Sequence, residues 1–526
     1  MRQNYKHYST RTFLNLCVLT LTYKIVLFLL FLGLPALSYS QTNLSPENMG
    51  LGGGGTSYST GYEALFINPA NLHFREKEYR VQIGLMQSGA YHDTPLRFSH
   101  ERDRFDNFLD GLNGFTPGSN AISVAERNSI LDRHYGDDDS QAGFLSFGEV
   151  NWFGVKWYRE ERSFALALRT RYANQYTVGR GFYDENPVTA DGMEIADFSL
   201  SHNYESLHEF SFGYSDSFTL LSGLFPRMSE FVIGIAPKIV LAGSSVQMQK
   251  TDRYERQTGR ELWTQNQSYR HQSSGEFSRA AQSFMNTGDA GNAVAQNFSG
   301  NDIFSPAGIG FGFDLGLTYL ITFGDDFSQL RRGNEITEKS LRLSIALTDL
   351  GAIHYFDDPL LVETESDQQT NILENQPRNS YFSGFPGEDL LFLSEDNSHP
   401  LSNSGPSEQS RGQFQRMMPT AVNAGALFQL NRVRVMGDFQ LGLIDSAFMP
   451  TQLASFFGIE IRPIPAFPLR AGTRFSTNQS DYFSFGTGIE TRYFDLNAGL
   501  KFRTEVGETP LEATAASFTS IKFYIP

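Results

Sequence analysis

The chain is almost without cysteine. Its single thiol, Cys17, falls within the first forty residues. The remainder therefore offers no disulfide framework and no cysteine metal site. After residue 40 there is no apolar run of 18 residues, so no transmembrane helix is expected there. Recognisable catalytic signatures are missing too. No GxSxG elbow occurs, and His208-Glu209 lacks the second histidine of an HExxH helix. The ten histidines are scattered without ligand spacing. Asp137, Asp138 and Asp139 form an acidic run outside any EF-hand pattern, which reads as a solvated loop tip. A basic surplus is lacking as well. The formal charge is −16, which excludes nucleic acid as a partner class. The sequence predicts no enzyme, no catalytic residue, no metal site and no cofactor.

What the chain does have is an unusual mixture. It carries 46 Phe, 23 Tyr and 48 Gly, yet its mean hydropathy is −0.32. A membrane β-barrel needs this combination, because apolar residues face lipid, polar ones face the lumen, and the two alternate. The N-terminus supplies a route of export. Arg2, Lys6, Arg11 and Lys24 are basic, and the apolar run IVLFLLFLGL (25–34) follows, then ALSYSQ. This is the pattern of a cleavable signal peptide over residues 1–40, with cleavage after Ser40. Removing it takes away four positive charges and no negative ones, which leaves −20. The expected location is the outer membrane, with lipid as the surrounding partner.

Period-two alternation appears in about fourteen segments. They run from YRVQIGLMQ (79–87) and VNWFGVKWY (150–158) to YFDLNAGLKF (493–502) and SFTSIKFYI (517–525). Through the first eight, long and short connections alternate. That parity is expected of an antiparallel barrel with long extracellular loops at one end and short turns at the other. The expected fold is all-β: a membrane-spanning antiparallel barrel over 79–526, with long loops at about 88–149, 175–206, 244–308 and 351–420. In SFALALRTRYAN (163–174), Phe164, Leu166 and Leu168 share one face, and Arg169 and Arg171 the other. The two arginines are candidate lumen residues. They either steer an anionic substrate or pair with lumen acids.

One stretch stands apart. GLGGGGTS (50–57) has the spacing of a dinucleotide fingerprint, but no strand precedes it and no lysine stands before its Thr-Ser, so a phosphate loop is not expected. The wider stretch MGLGGGGTSYSTGYEALFINPANLHFREKE (49–78) is similar to the N-terminal segment of the FadL, TodX and PorV group of outer-membrane barrels. The matching residues are Gly52 to Thr56, Ala64, Asn68-Pro69-Ala70 and Leu72. FGFDLGLTYLI (311–321), LTDLGAIHY (347–355), MPTAVNAGALF (418–428) and FGIEIRPIPAFPLRAGTRFS (457–476) resemble recurring phrases of a Bacteroidota branch of uncharacterised barrels. The resemblance implies fourteen strands and a lumen plug over 41–78, with Gly52, Gly53, Gly54, Gly55, Asn68, Pro69 and Ala70 as plug or gate residues. It implies a FadL-like channel or binding protein for hydrophobic or amphipathic small molecules. The alternative is a PorV-like scaffold barrel that binds protein partners at the cell surface or in a secretion system.

Overall fold

The computed structural model describes residues 44–75, 77–93, 141–159, 162–179, 198–218, 229–256, 263–298, 305–322, 339–370, 409–449, 453–475, 482–503, 512–518 and 521–526. The expected signal segment, the acidic run at 137–139 and the middles of the first, second and fourth expected loops lie outside them.

Nineteen strands make one sheet in which every pairing is antiparallel. The strands are β1 (Val81–Asp93), β2 (Gln141–Arg159), β3 (Arg162–Gly179), β4 (Phe198–Phe218) and β5 (Ser229–Arg256). Next come β6 (Trp263–Ser274), β7 (Gly308–Thr322), β8 (Lys339–Tyr355), β9 (Leu360–Thr370), β10 (Gln409–Ser410), β11 (Phe414–Met417) and β12 (Ala421–Leu430). The series closes with β13 (Val433–Gly442), β14 (Leu453–Ile464), β15 (Phe467–Phe475), β16 (Tyr482–Glu490), β17 (Phe494–Arg503), β18 (Glu512–Phe518) and β19 (Ile521–Ile525). β1 pairs with β2 on one side and with β18 and β19 on the other, so the sheet closes on itself. Several strands are collinear pieces. β6 and β7 both follow β5, and β8 with β9 follows them. β10, β11 and β12 form one further stave, and β18 with β19 the last. Counted as staves, the wall has fourteen, and each expected alternating segment falls on one of them.

The sheet closes on itself, and the side chains sort as lipid requires. Along β7, residues alternate between buried and exposed, with Phe311, Leu315 and Leu317 outside and Asp314 and Thr318 inside. The same inversion holds elsewhere: Ile233, Ile235 and Ile239 point out while Lys238 is buried. A water-soluble sandwich buries the apolar set. Here the buried set is polar and the exposed set apolar, which makes this a membrane-spanning barrel.

The strands run further than their alternation suggested, and the loop boundaries are corrected accordingly. β5 continues to Arg256, β6 occupies 263–274 and β9 occupies 360–370, all inside segments expected as loops. β1 likewise reaches Asp93 and β2 starts at Gln141. Above the lipid belt neither face of the wall needs apolar side chains. The pairing continues there, but the pattern that reveals it fades.

The interruption between β6 and β7 carries two helices, α1 (Glu276–Thr287) and α2 (Ala290–Asn297). Gly288, in a left-handed conformation, ends the first of them. α1 lays Phe277, Ala280, Ala281 and Phe284 on Val246, Met248, Tyr269, Leu360 and Val362. These strand residues share a face with Tyr204 and His202, opposite in parity to the lumen residue Glu205. The helices therefore cover the outside of the wall, just above the lipid belt. The wall stays closed behind them, because Ala307 donates to Ala242 and accepts from Phe356 and Asp357. Arg279 of α1 binds Asp357 at 2.8 Å, and the carboxylates of Asp357 and Asp358 hold its guanidinium further toward the charged form despite burial.

Candidate functional site

Residues 44–75 lie inside the barrel. A short helix α0 (Pro46–Gly50) is capped by the Ser45 hydroxyl, and two 3-10 turns, Tyr62–Phe66 and Pro69–His73, follow. Nearly every residue of the segment is buried. It touches the wall on all sides because the wall presents small residues at its level. A Cβ on Gly84 or Gly154 would stand 2.0 Å from the Tyr62 ring, and one on Gly234 would stand 2.1 Å from the Pro69 backbone. A Cβ on Gly472 would lie 2.3 Å from the Gly52 nitrogen and one on Gly486 2.9 Å from the Gly50 Cα. This belt of wall glycines was not singled out from the sequence. Its signal was a glycine at a lumen-parity position in strand after strand.

The glycine run itself solves two problems. Gly52, Gly53 and Gly55 have φ of 95°, 111° and 98°, a region that side chains with a Cβ rarely enter. A Cβ on Gly52 would meet the Thr473 carbonyl oxygen at 2.7 Å, and one on Gly54 the Asp438 carboxylate at 2.5 Å. The run does cradle a carboxyl group, but that group belongs to the chain. Asp438, on β13, accepts from the Ser57 hydroxyl at 2.7 Å and from the backbone N–H groups of Gly55, Thr56 and Ser57. Successive amides in such a turn form a concave donor site, the same physics that holds a phosphate elsewhere.

Asn68, Pro69 and Ala70 sit on the opposite wall. The Asn68 side chain caps the second 3-10 turn at the Ala70 nitrogen and donates to the Thr56 carbonyl and the Thr318 hydroxyl, each at 3.0 Å. Ser215 donates to the Ala70 carbonyl at 2.9 Å. Asn48 binds the Gly53 carbonyl and accepts from Tyr58, whose hydroxyl burial holds well above its ordinary range and hence protonated.

Charged side chains of both partners tie the segment to the wall. Glu63 binds Lys522, Lys156 donates to the carbonyls of Thr60 and Phe74, and Arg342 donates to Ser57. Breaking the first leaves a buried carboxylate without its ammonium. Lys522→Ala is expected to lower stability by about 2 kcal/mol, read as the temperature at which the folded band is lost on a gel. The exchange Glu63→Lys with Lys522→Glu should recover part of it, and an unchanged Lys522→Ala midpoint would remove the tether from the account.

Higher along the strands, Arg169 and Arg171 both face the lumen, and both are compensated. Glu209 accepts from Arg169 Nε at 2.9 Å and lies 2.6 Å from Arg171, and Asp349 lies 2.9 Å from Arg171. Lys238 bridges Asp349 and Asp314, at 2.5 and 2.7 Å. This geometry supports pairing rather than the steering of an anionic substrate. The acids were not singled out from the sequence because nothing local marks them, and their meeting is tertiary.

Above this ionic layer comes an apolar one. Tyr91, Phe147, Leu207, Ile353, Tyr355 and Met418 cluster from four strands and the connection after β11, and Phe448 and Met449 join them from the connection between β13 and β14. A barrel lumen is ordinarily polar. A coherent apolar layer within it makes a place where water is poorly held and an apolar molecule is favoured.

No curated protein matches the sequence. Among solved structures, the Ralstonia pickettii toluene transporter TbuX aligns at 12% identity, covering 92% of this chain and 99% of that one, with a TM-score of 0.40. The Pseudomonas putida toluene transporter TodX aligns at 11% identity over 93% and 99%, with a TM-score of 0.38. A Pseudomonas aeruginosa FadL homologue aligns at 10% identity over 93% and 99%, with a TM-score of 0.23. The architecture described above rests on the strand pairing itself. A family of unknown function, DUF5723, is matched over residues 110–499, and the chain belongs to it.

Proposed function

We propose that the protein is an outer-membrane channel or binding protein for hydrophobic or amphipathic small molecules. In this reading residues 44–75 are its plug, with Gly52 to Gly55 and Asn68-Pro69-Ala70 as seating and gate residues. The observation that carries it is the apolar layer inside the lumen, centred on Tyr91, Phe147, Tyr355 and Phe448. Such a layer has no use in a water-filled pore. It suits a ligand that leaves water for an apolar place. The ionic layer beneath is internally neutralised, so it discriminates against bare ions rather than recruiting them.

A second reading, a scaffold for protein partners, is favoured by the wall extension of β4, β5, β6 and β9 with its two external helices. One experiment separates the two. The protein is purified from outer membranes beside a control barrel, and its bound small molecules are extracted and identified by mass spectrometry. Enrichment of hydrophobic compounds, with retention altered by deletion of residues 41–72, is the expected result. A co-purifying protein with no enriched compound would replace the channel reading with the scaffold.

A further inference from the structure

The connection from β13 to β14 does not extend away from the barrel. Ala447, Phe448 and Met449 are all buried, and all three belong to the apolar layer of the lumen. The connection leaves the wall at Leu443, whose nitrogen donates to the Thr420 carbonyl at 2.8 Å. It then turns inward on Ser446. The Ser446 hydroxyl and the Met449 backbone bond each other in both directions, at 3.1 Å each. This tight local turn lets the piece move or stay as a unit. Phe448 is its deepest contact. Its ring meets Phe147 edge-on at 5.9 Å between centroids, and the Arg171 guanidinium stands 4.7 Å from its centre. Arg171 is itself held by Glu209 and Asp349. The ring therefore rests on a rigid charged floor through a desolvated cation–π contact.

We infer that residues 443–449 form a second closure of the lumen, on the side of the long connections, and that Phe448 is its pin. The inference rests on the proposed channel reading for its purpose, but not for its geometry. A hydrophobic ligand entering from outside takes the place of Phe448 against Phe147 and Arg171. The plug closes the lumen from the side of the short turns. The two closures share no residue. Met49 and Leu44 of the plug enter the same apolar layer as Phe448, so the layer lies between them. Three consecutive buried apolar positions in a connection whose preceding residues, 443–446, are exposed or half-buried have no structural need in a barrel whose wall is already closed.

The test uses cysteine access. Ala173 is fully buried in this layer and pairs across the strands with Phe147. Ala173→Cys is made in the full chain, reconstituted in liposomes, and reacted with a membrane-impermeant maleimide. The wild-type chain in parallel reports any background from Cys17. Labelling is expected to be slow, and to rise on the order of a hundredfold when Phe448→Ala is added, since access is set by local opening. Phe448→Leu keeps much of the volume and should fall between the two. It also serves if Phe448→Ala fails to fold, which the heat-shift of the gel band reveals. Fast labelling of Ala173→Cys alone, or an equal rate with and without Phe448, overturns the closure. A separate reading of hydrophobic dye retention isolates the channel proposal: accelerated labelling with no dye retained leaves the closure standing and removes the ligand path.

Discussion

Gly52→Val is expected to unseat the N-terminal segment 44–75 while the barrel remains folded. Two penalties act at once. A β-branched residue at φ of 95° is strained, and its Cβ would stand 2.7 Å from the Thr473 carbonyl, which is backbone of the wall and cannot yield. Together these amount to about 4 kcal/mol. The cost falls on the segment rather than on the strands, whose ladders are untouched. The readout is conductance in a planar bilayer: near-closed for the wild type, open or noisy for Gly52→Val. Gly53→Ala is the internal control. Its φ is 111°, but a Cβ there meets only the Phe456 ring at 3.5 Å, an ordinary contact. It bears strain without collision and should conduct less than Gly52→Val. Equal conductance for the wild type and Gly52→Val would mean that the segment yields, and the close seating would lose its role.

Glu209→Ala should produce the largest loss of stability in the wall. The carboxylate sits between two guanidiniums and is fully buried. Its removal leaves Arg169 with only Glu149 at 3.9 Å, while Arg171 keeps Asp349 at 2.9 Å. Losing one member of such a buried network costs about 3–5 kcal/mol. The measure is the temperature at which the folded gel band disappears. The double change Arg169→Met with Glu209→Met removes both charges together and should recover a substantial part. A Glu209→Ala midpoint within a degree of wild type would show that water reaches the arginines and that the layer is not dry.

The two effects separate two functions of the interior. The N-terminal segment 44–75 is seated by shape, because glycines of both partners allow backbone to touch backbone. The middle layer is held by charge, with four acids and three bases from six strands. Above it lies the apolar layer around Tyr91, Phe147, Tyr355 and Phe448.

Much of this was legible in the sequence. Alternation in segments such as 309–322 and 453–462 reports the lipid-facing belt directly, because lipid demands an apolar side chain at every second position. The fourteen staves follow from that demand alone. The same rule explains the misplaced loop ends. Above the belt the demand lapses, so the upper half of β5, β6 and β9 read as loop. The place of the two helices at 276–297 on the outer wall was not legible, since it depends on register between strands far apart in sequence.

The sequence by itself determined the class of fold and the direction of each face. Both rest on a local constraint, the period of the strands, whereas the glycine run as a lumen plug was implied only by the family resemblance. Only the tertiary structure decided that the run cradles Asp438, that Arg169 and Arg171 meet Glu209 and Asp349, and that Phe448 enters the lumen. Those are meetings between positions tens to hundreds of residues apart. No local pattern encodes them, because the closed wall sets which strands face one another across the lumen.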